Sequence, residues 1–520
     1  MHLIISESFI LRMILSIYRT VKYSLNNSFF VNIIVNLIKR FRICFRSSLI
    51  IHIFTRNSRI SEAWENSLVY RIVRYILLLP ENIIKIFYKK CEKVFYGSIV
   101  YKVTVLAINN LHILTASVLF ISLVAPFRWN NLYAFGMLVL LTFLLYIKPS
   151  VTGEKGIKVS AVSFYTVVFL LAVIVAQLFS ISPGESFKFL VFYANCFMLV
   201  ILFASSIRTT AQLRNTIDVI LAGITITALL GIFMSIIGVP SDPSLTDTTA
   251  NLDMPGRVYA TIKNTNDYAE SLLIFFPFYL AVIIYSKLTV KKVLFIAMAI
   301  ASFVAIMLTY SRTSWIGLVA ATFIFVFFVN KKMLIPLIAL ALFGLPFLPT
   351  TVVNRIQTII SGDTSIGYRF TIFKTVMPII KDNWFTGIGL GTFVFKDVVA
   401  KYPIYTEGWI PPHSHNVFLH IWLESGIVGI LSFFGWMIHL IKIGINKIRY
   451  ESDKTIKYVI IACISSLSGV LITGMGEYIW HEHRVMLLYW AVVGILTAAA
   501  CFNSEPERQN PGYANIKLIH

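Results

Sequence analysis

Acidic residues are scarce in this sequence: 24 Asp and Glu stand against 45 Lys and Arg in 520 residues, a formal net charge of +21. Cysteine is scarcer still. Cys44, Cys91, Cys196, Cys463 and Cys501 are scattered, with no Cys-x-x-Cys pair, so neither a disulfide framework nor a cysteine-ligated zinc site is indicated. The short alternating segments of an outer-membrane barrel are absent, as is any internal repeat. No small-residue cleavage site follows the first apolar patch. The glycine-rich "GIGLG" (387–391) lacks the strand–turn–helix setting of a nucleotide loop.

Apolar residues make up 57% of the chain and charged residues only 13%. Stretches of about 20 apolar residues recur through the last four fifths, which predicts an all-α, polytopic helical membrane protein. In a soluble protein the positive charge would suggest nucleic acid. In a membrane protein it reflects Lys and Arg held on the cytoplasmic side, and no nucleic-acid partner is assigned. Twelve spans are expected: 111–126, 130–147, 159–180, 187–206, 216–238, 268–286, 293–310, 314–329, 333–349, 416–441, 457–474 and 485–502.

Loop charge orients them. One alternating set of five short loops carries 15 Lys and Arg: Lys148, Lys155 and Lys158; Arg208 and Arg214; Lys287, Lys291 and Lys292; Lys331 and Lys332; Lys442, Lys447, Arg449, Lys454 and Lys457. Apart from the long loop 350–415, the other set holds only Arg128, Arg257, Lys263, Arg312 and Arg484. Both termini are therefore expected in the cytoplasm, with 350–415 a large external loop. Residues 1–97 read as a basic, amphipathic region for the inner leaflet, with 15 Lys/Arg against 5 Asp/Glu. Residues 98–503 form the transmembrane domain and 504–520 a cytoplasmic tail.

This orientation places Arg257, Arg312, Arg369 and His415 on the outer face. "TYSRTSWIG" (309–317) leaves two or three residues to turn between spans, holding Arg312 at the depth of lipid phosphates. There its donor fork can grip phosphate oxygens, or it can merely snorkel beside Tyr310 and Trp315. Arg257 lies on a longer loop, before a helix that Asn266 or Asp267 is expected to cap, leaving backbone N–H groups for an anion. In "PPHSHNVFLHIWLESGIVG" (411–429) Ser414 or Asn416 can cap the helix that follows, and His415 sits at its positive end. That position favours a neutral imidazole able to take a proton from a hydroxyl. His420 and Glu424, four residues apart, most simply satisfy each other. Glu424 lies about 12 Å down the helix from Asn416 and faces the bundle interior. Gly426 and Gly429 allow close helix contact. A short amphipathic helix is expected at 368–381, with the glycine turn after it. A metal held by His413, His415, His481 and His483 is the alternative use of these histidines.

With these residues placed, the chain resembles the O-antigen ligase and polymerase superfamily of bacterial membrane glycosyltransferases. His415-Asn416 followed by Gly426 and Gly429 matches the ligase spacing of His-Asn, nine residues, Gly, two residues, Gly. Arg257 with Asn264 and Asn266, Ser311-Arg312, and "YRFTIFKTVMPIIKDNWFTGIGLGTF" (368–393) are similar to further motifs of that family, in the same order. Thr265 replaces a proline often found in the asparagine turn. The resemblance spans about residues 110–500 and leaves 1–97 without a counterpart. It implies a glycan donor on a polyprenyl-pyrophosphate carrier, a hydroxyl acceptor on a glycan, glycolipid or protein, and no nucleotide, metal or other cofactor. It further implies that Arg312 and Arg257 stabilise the leaving pyrophosphate and that His415 is the base. Arg369, Asn266 and Asn416 join them in binding the donor. The histidine motif leans towards ligase over polymerase. A solute or glycolipid transporter is the alternative from another class, but ionisable residues other than Glu424 gather at the outer rim instead of the midplane.

Overall fold

The computed structural model describes residues 59–126, 129–239, 256–361, 364–403 and 410–502. Most of the basic N-terminal region, the tail 504–520 and the middle of both long loops lie outside the described residues. All regular structure within them is helical. Three helices, α1 (Arg59–Asn66), α2 (Leu68–Phe95) and α3 (Ile99–Asn109), lead into α4 (Leu111–Val124) and α5 (Asn131–Thr152). Next come α6 (Phe164–Leu178), α7 (Pro183–Ser206), α8 (Thr210–Ile237), α9 (Thr265–Tyr285), α10 (Thr289–Leu308) and α11 (Arg312–Asn330). The large loop contributes α13 (Thr350–Ser361), α14 (Thr364–Asp382) and α15 (Thr392–Val399), after a short apolar α12 (Leu334–Gly344). The chain closes with α16 (Val417–Tyr450), α17 (Lys454–Thr473) and α18 (His483–Ala500).

Each of the twelve expected runs coincides with a helix. Among the described residues nine are long and apolar enough to cross a membrane, or ten if the bent pair α3–α4 is one span. The rest of the expected count comes from α6, which has 15 residues, and from splitting 312–344, which passes as a single candidate. Side-chain oxygens fix several starts: Asn264 caps α9, Asn416 caps α16, and Asp453 caps α17. Left-handed Gly153 and Gly238 end α5 and α8.

The centre of the bundle is α18, buried over 94% of its length, with α9 (83%) and α17 (72%) beside it; α10, at 22%, is peripheral. Small residues bring α11 and α17 together, and a Cβ on Gly469 would meet the Gly317 carbonyl at 2.9 Å. Ile300 and Phe303 of α10 and Val319 and Phe323 of α11 turn outward, which suits a hydrocarbon solvent better than water. On α2 exposed Leu68, Ile72, Ile76, Ile83 and Phe87 alternate with Arg71, Arg74, Lys85 and Lys89, an amphipathic pattern that packs beside α5.

Two details of α16 position the site. Its helix breaks at Gly426 (φ 65°, ψ −169°), and the stretch 384–391 threads through the break. Ile388 N–H donates to the Leu423 carbonyl (2.8 Å), Gly389 N–H to that of Glu424 (3.3 Å), and Ile427 N–H to that of Trp384 (2.8 Å). A Cβ on Gly426 would lie 1.8 Å from the Phe385 carbonyl oxygen, so only glycine fits. The expected close contact at Gly426 is thus between backbone and loop, and the "GIGLG" turn is its partner. The amphipathic helix expected at 368–381 falls within α14. It buries Ile372, Val376, Ile379 and Ile380 against α15 and Leu423, a small core of its own beside the bundle.

Candidate active site

At the end of the bundle where α9, α11, α16 and α18 begin, four segments converge. Arg257, in the segment before α9, is buried. Its Nε donates to the Thr309 carbonyl at the end of α10 (2.7 Å) and its Nη2 to Asn266 Oδ1 (2.6 Å). A cation there complements the exposed carbonyls of a helix C-terminus. Asn264, and not Asn266 or Asp267, caps α9, accepting from the backbone N–H of both. That corrects the expected cap and releases the Asn266 side chain, which donates onward to Glu477 Oε2 (3.3 Å). The N–H groups expected to receive an anion are consumed by the cap.

Arg312 opens α11 after Ser311, which follows Tyr310, whose φ is 51°. It is buried, at 8% exposure, and so does not reach out to solvent as a snorkelling side chain would. Beneath it, Glu270 of α9 accepts from Ser314 (3.2 Å) and Thr473 (3.0 Å), tying α9, α11 and α17 together. Arg355 on α13 joins this group, its Nε donating to the Tyr310 carbonyl (3.2 Å). Sequence reasoning did not single it out; its only signal was an arginine in a mostly apolar run at the start of the large loop. Burial, with Arg355, Arg312 and Arg369 close by, pushes the Arg257 guanidinium down to about 9, and Glu477 opposes the shift. It stays charged at neutral pH. Guanidinium groups from three other segments thus act electrostatically on Arg257.

Glu477, between α17 and α18, is the hub; the sequence points to its segment only through His481 and His483. Its Oε1 accepts from the His415 ring Nδ1 (2.9 Å), and its Oε2 from Asn266 and from Arg369 Nη2 (3.4 Å). Burial alone would raise its pKa, but His415, Arg369 and His413 outweigh burial and hold the carboxyl well below its ordinary range. Arg257, Asn266, Glu477, Arg369 and His415 form one continuous polar chain.

His415 has a left-handed backbone, φ 47°, an uncommon state for a residue with a side chain. Three bonds over-determine it: its N–H donates to His413 Nδ1 (3.3 Å), Asn416 caps α16 with Oδ1, and Asn416 Nδ2 donates to the Met475 carbonyl (3.0 Å). Asn416 is therefore engaged at both ends of its amide. His413 is buried and kept neutral by burial and by the neighbouring His481 and His415. It stacks on His481 at 4.5 Å between ring centroids. His481 pairs with Asp267 at 3.0 Å; burial works against its charge, yet Asp267 and the Tyr478 carbonyl raise it to about 10. The expected pairing of His420 with Glu424 is not a hydrogen bond, since their closest atoms are 3.6 Å apart. Glu424 is buried as expected and instead accepts from Gly391 N–H (2.7 Å), Tyr193 (2.9 Å) and Tyr478 (3.1 Å). It locks the glycine turn to α7 and α16.

Among the described residues, one group can hold a metal ion: His413, His415 and Glu477, whose ligand atoms lie within 4.8 Å of one another. The other two expected ligands are not in this group: His481 pairs with Asp267 (3.0 Å), and His483 faces Asn195 (3.3 Å) in the bundle interior. Both oxygens of Glu477 already accept hydrogen bonds, and Arg369 touches one of them, surroundings that disfavour a further cation.

Residues 296–434 match the family model described as O-Antigen ligase. The match runs from α10 into the first half of α16, taking in Arg312, Arg355, Arg369, His413 and His415. Arg257 and Asn266 lie before it and Glu477 and His481 after it. No curated protein matches the chain.

Proposed function

We propose a specific transfer reaction for this chain, which belongs to the O-antigen ligase superfamily and is a multi-pass membrane glycan transferase of the ligase kind: it moves a glycan from a polyprenyl-pyrophosphate carrier to an acceptor hydroxyl at the outer face of the cytoplasmic membrane. The observation that carries this reading is the His415–Glu477 pair set beside Arg257, Arg312, Arg355 and Arg369. Glu477 engages Nδ1, which leaves Nε2 with the lone pair. In this reading Nε2 takes the proton of the acceptor hydroxyl as its oxygen attacks the anomeric carbon. The bond from that carbon to the phosphate oxygen breaks, and its electron pair leaves with the lipid pyrophosphate. Arg312 and Arg257 stabilise the charge that develops there, with Arg369 and Asn266 beside them. Asn416 serves by fixing the His415 backbone. The bond broken already carries the energy for transfer, so this chemistry needs neither nucleotide nor metal. The loop charges support cytoplasmic termini and an outward-facing site.

The test uses full-length protein purified in detergent and radiolabelled lipid-linked glycan, with released polyprenyl pyrophosphate and captured glycosylated acceptor as readouts. Transfer that persists in excess chelator is the expected result. Its acceptor then separates ligase from polymerase: a lipid or protein in one case, a second lipid-linked glycan in the other. No transfer without an ion gradient, or loss in chelator that zinc or magnesium restores, would sink the reading.

A further inference from the structure

Beside the histidine cluster lies a cleft of about 360 Å³, open to the outside of the bundle. It is lined by Trp129 and Asn131 at the start of α5, by Lys263, and by Asp267, His481 and Glu482. Its volume is at the small end of the range for small-molecule sites, about 300–1,000 Å³, too little for a lipid chain or a folded peptide segment. Its charge is mixed: two carboxylates face a lysine and a histidine. Arg484, which also borders it, is engaged by the carbonyls of Ala125, Pro126 and Thr261. Such a lining does not select an anion.

Two buried polar atoms at this cleft have no hydrogen-bond partner among the described residues: the indole Nε1 of Trp129, a donor, and Oδ1 of Asp267, an acceptor. Asp267 is only 1% exposed, and atoms so buried are ordinarily paired. One orphaned donor and one orphaned acceptor on residues that line one cleft suit a ligand whose groups both donate and accept. Hydroxyls do so. The indole also offers an apolar face, held edge-on by Tyr133 at 5.1 Å between centroids, against which the C–H face of a sugar ring can lie. The back wall is His481, stacked on His413, which in turn lies 4.2 Å from His415 between ring centroids.

We infer that this cleft is a sugar subsite, in which Trp129 stacks on one residue of the glycan that is donor or acceptor in the reaction. The inference rests on the proposed transfer for its biological meaning, but its physical test does not. Saturation-transfer NMR is read on the full chain in detergent with a panel of methyl glycosides. At least one glycoside is expected to bind, with signal lost in Trp129→Ala, weakened in Trp129→Phe, which keeps an aromatic face without the N–H, and retained in His415→Ala. Absence of binding by every glycoside, or binding undiminished in Trp129→Ala, overturns the subsite. Thermal unfolding of Trp129→Phe guards against a folding artefact, because that variant removes a donor that has no partner to lose. In the transfer assay the two sources separate: Trp129→Ala raises KM by about tenfold for the donor if the sugar is the donor's, and for the acceptor if it is the acceptor's. KM unchanged for both rejects the inference. Glycoside binding at Trp129 without any lipid-linked transfer would leave the subsite standing and remove the proposed reaction instead.

Discussion

The two polar ends of the helix bundle handle charge in opposite ways. At the basic end, Lys291 pairs with Asp218 (2.6 Å) and Lys447 with Glu451 (2.9 Å). Arg214 donates to Thr455 (2.7 Å), and Lys158 to the Cys501 carbonyl (3.0 Å). Apart from Lys447–Glu451, which lies within the end of α16, these contacts tie neighbouring helix ends, and several remain half-exposed. At the other end the charges are buried, one carboxylate serves three side-chain partners, and the backbone itself is unusual. All four non-glycine residues with positive φ among those described, Ala260, Lys263, Tyr310 and His415, lie there. Each such residue costs of order 1–3 kcal/mol and persists only where the surroundings enforce it. The basic end is arranged for stability and orientation, whereas the other end spends stability on geometry.

The sharpest break in this contrast is His415→Ala. In the transfer assay it should lower turnover by about 10²–10⁴-fold and leave donor binding largely intact. His413→Ala, which removes a ring that supports the 415 backbone and stacks on His481 but takes no part in the proposed proton transfer, should cost less than about tenfold. Equal damage from both would mean that the cluster works as a unit, as a metal site would.

Glu477→Gln keeps the shape of the hub and removes its charge. Turnover should fall by about 10²-fold, because the amide has one oxygen where the donors now share two, and its NH2 can hold the His415 ring in the other tautomer. The protein should also unfold at lower temperature, because Arg369 and Arg257 lose their nearby counter-charge. A variant with wild-type turnover would show that Glu477 is structural alone.

For the arginines the structure changes an expectation. A loop as long as that of Arg257 would by itself let a lysine reach the same site, yet the fork of Arg257 makes two directed bonds, to Thr309 and Asn266. Arg257→Lys should therefore weaken donor use about as much as Arg312→Lys, by roughly tenfold or more in kcat/KM. A clearly milder Arg257→Lys would favour the loop argument.

A pH series probes the same end. His481 is raised to about 10 by Asp267, against about 6.5 in the unfolded chain. Because the folded value is the higher one, its contribution to stability is complete below about pH 6.5 and is lost as pH rises towards 10. The melting temperature should fall across that window, and Asp267→Asn should flatten the fall. Identical slopes would disprove the coupling. Smallest of all is the basic-end control: Lys291→Ala should change stability by no more than about 1 kcal/mol and leave transfer unchanged.

Much of this arrangement was legible before any coordinates. Apolar runs set the helices, and loop charge separated the two ends. The residues Arg257, Arg312, Arg369 and His415 were picked out from four distant segments that do meet. Glu477 and Arg355 were not, because a lone acid in a histidine-rich turn and a lone arginine in an apolar run look like ordinary loop residues. The break at Gly426 was equally hidden, since its spacing is that of a helix-contact glycine. By itself the sequence determined what depends on local composition: the helices and the sign of charge at each loop. Only the tertiary structure decided what depends on distance between remote segments. It decided which carboxylate reaches His415, which asparagine is left free by the cap at Asn264, and which carbonyls the glycine turn takes at the helix break. Hydrogen bonds and buried charges act over a few ångströms, and one residue of helix rotation turns a side chain by about 100°, so no reading of spacing alone can choose among such partners.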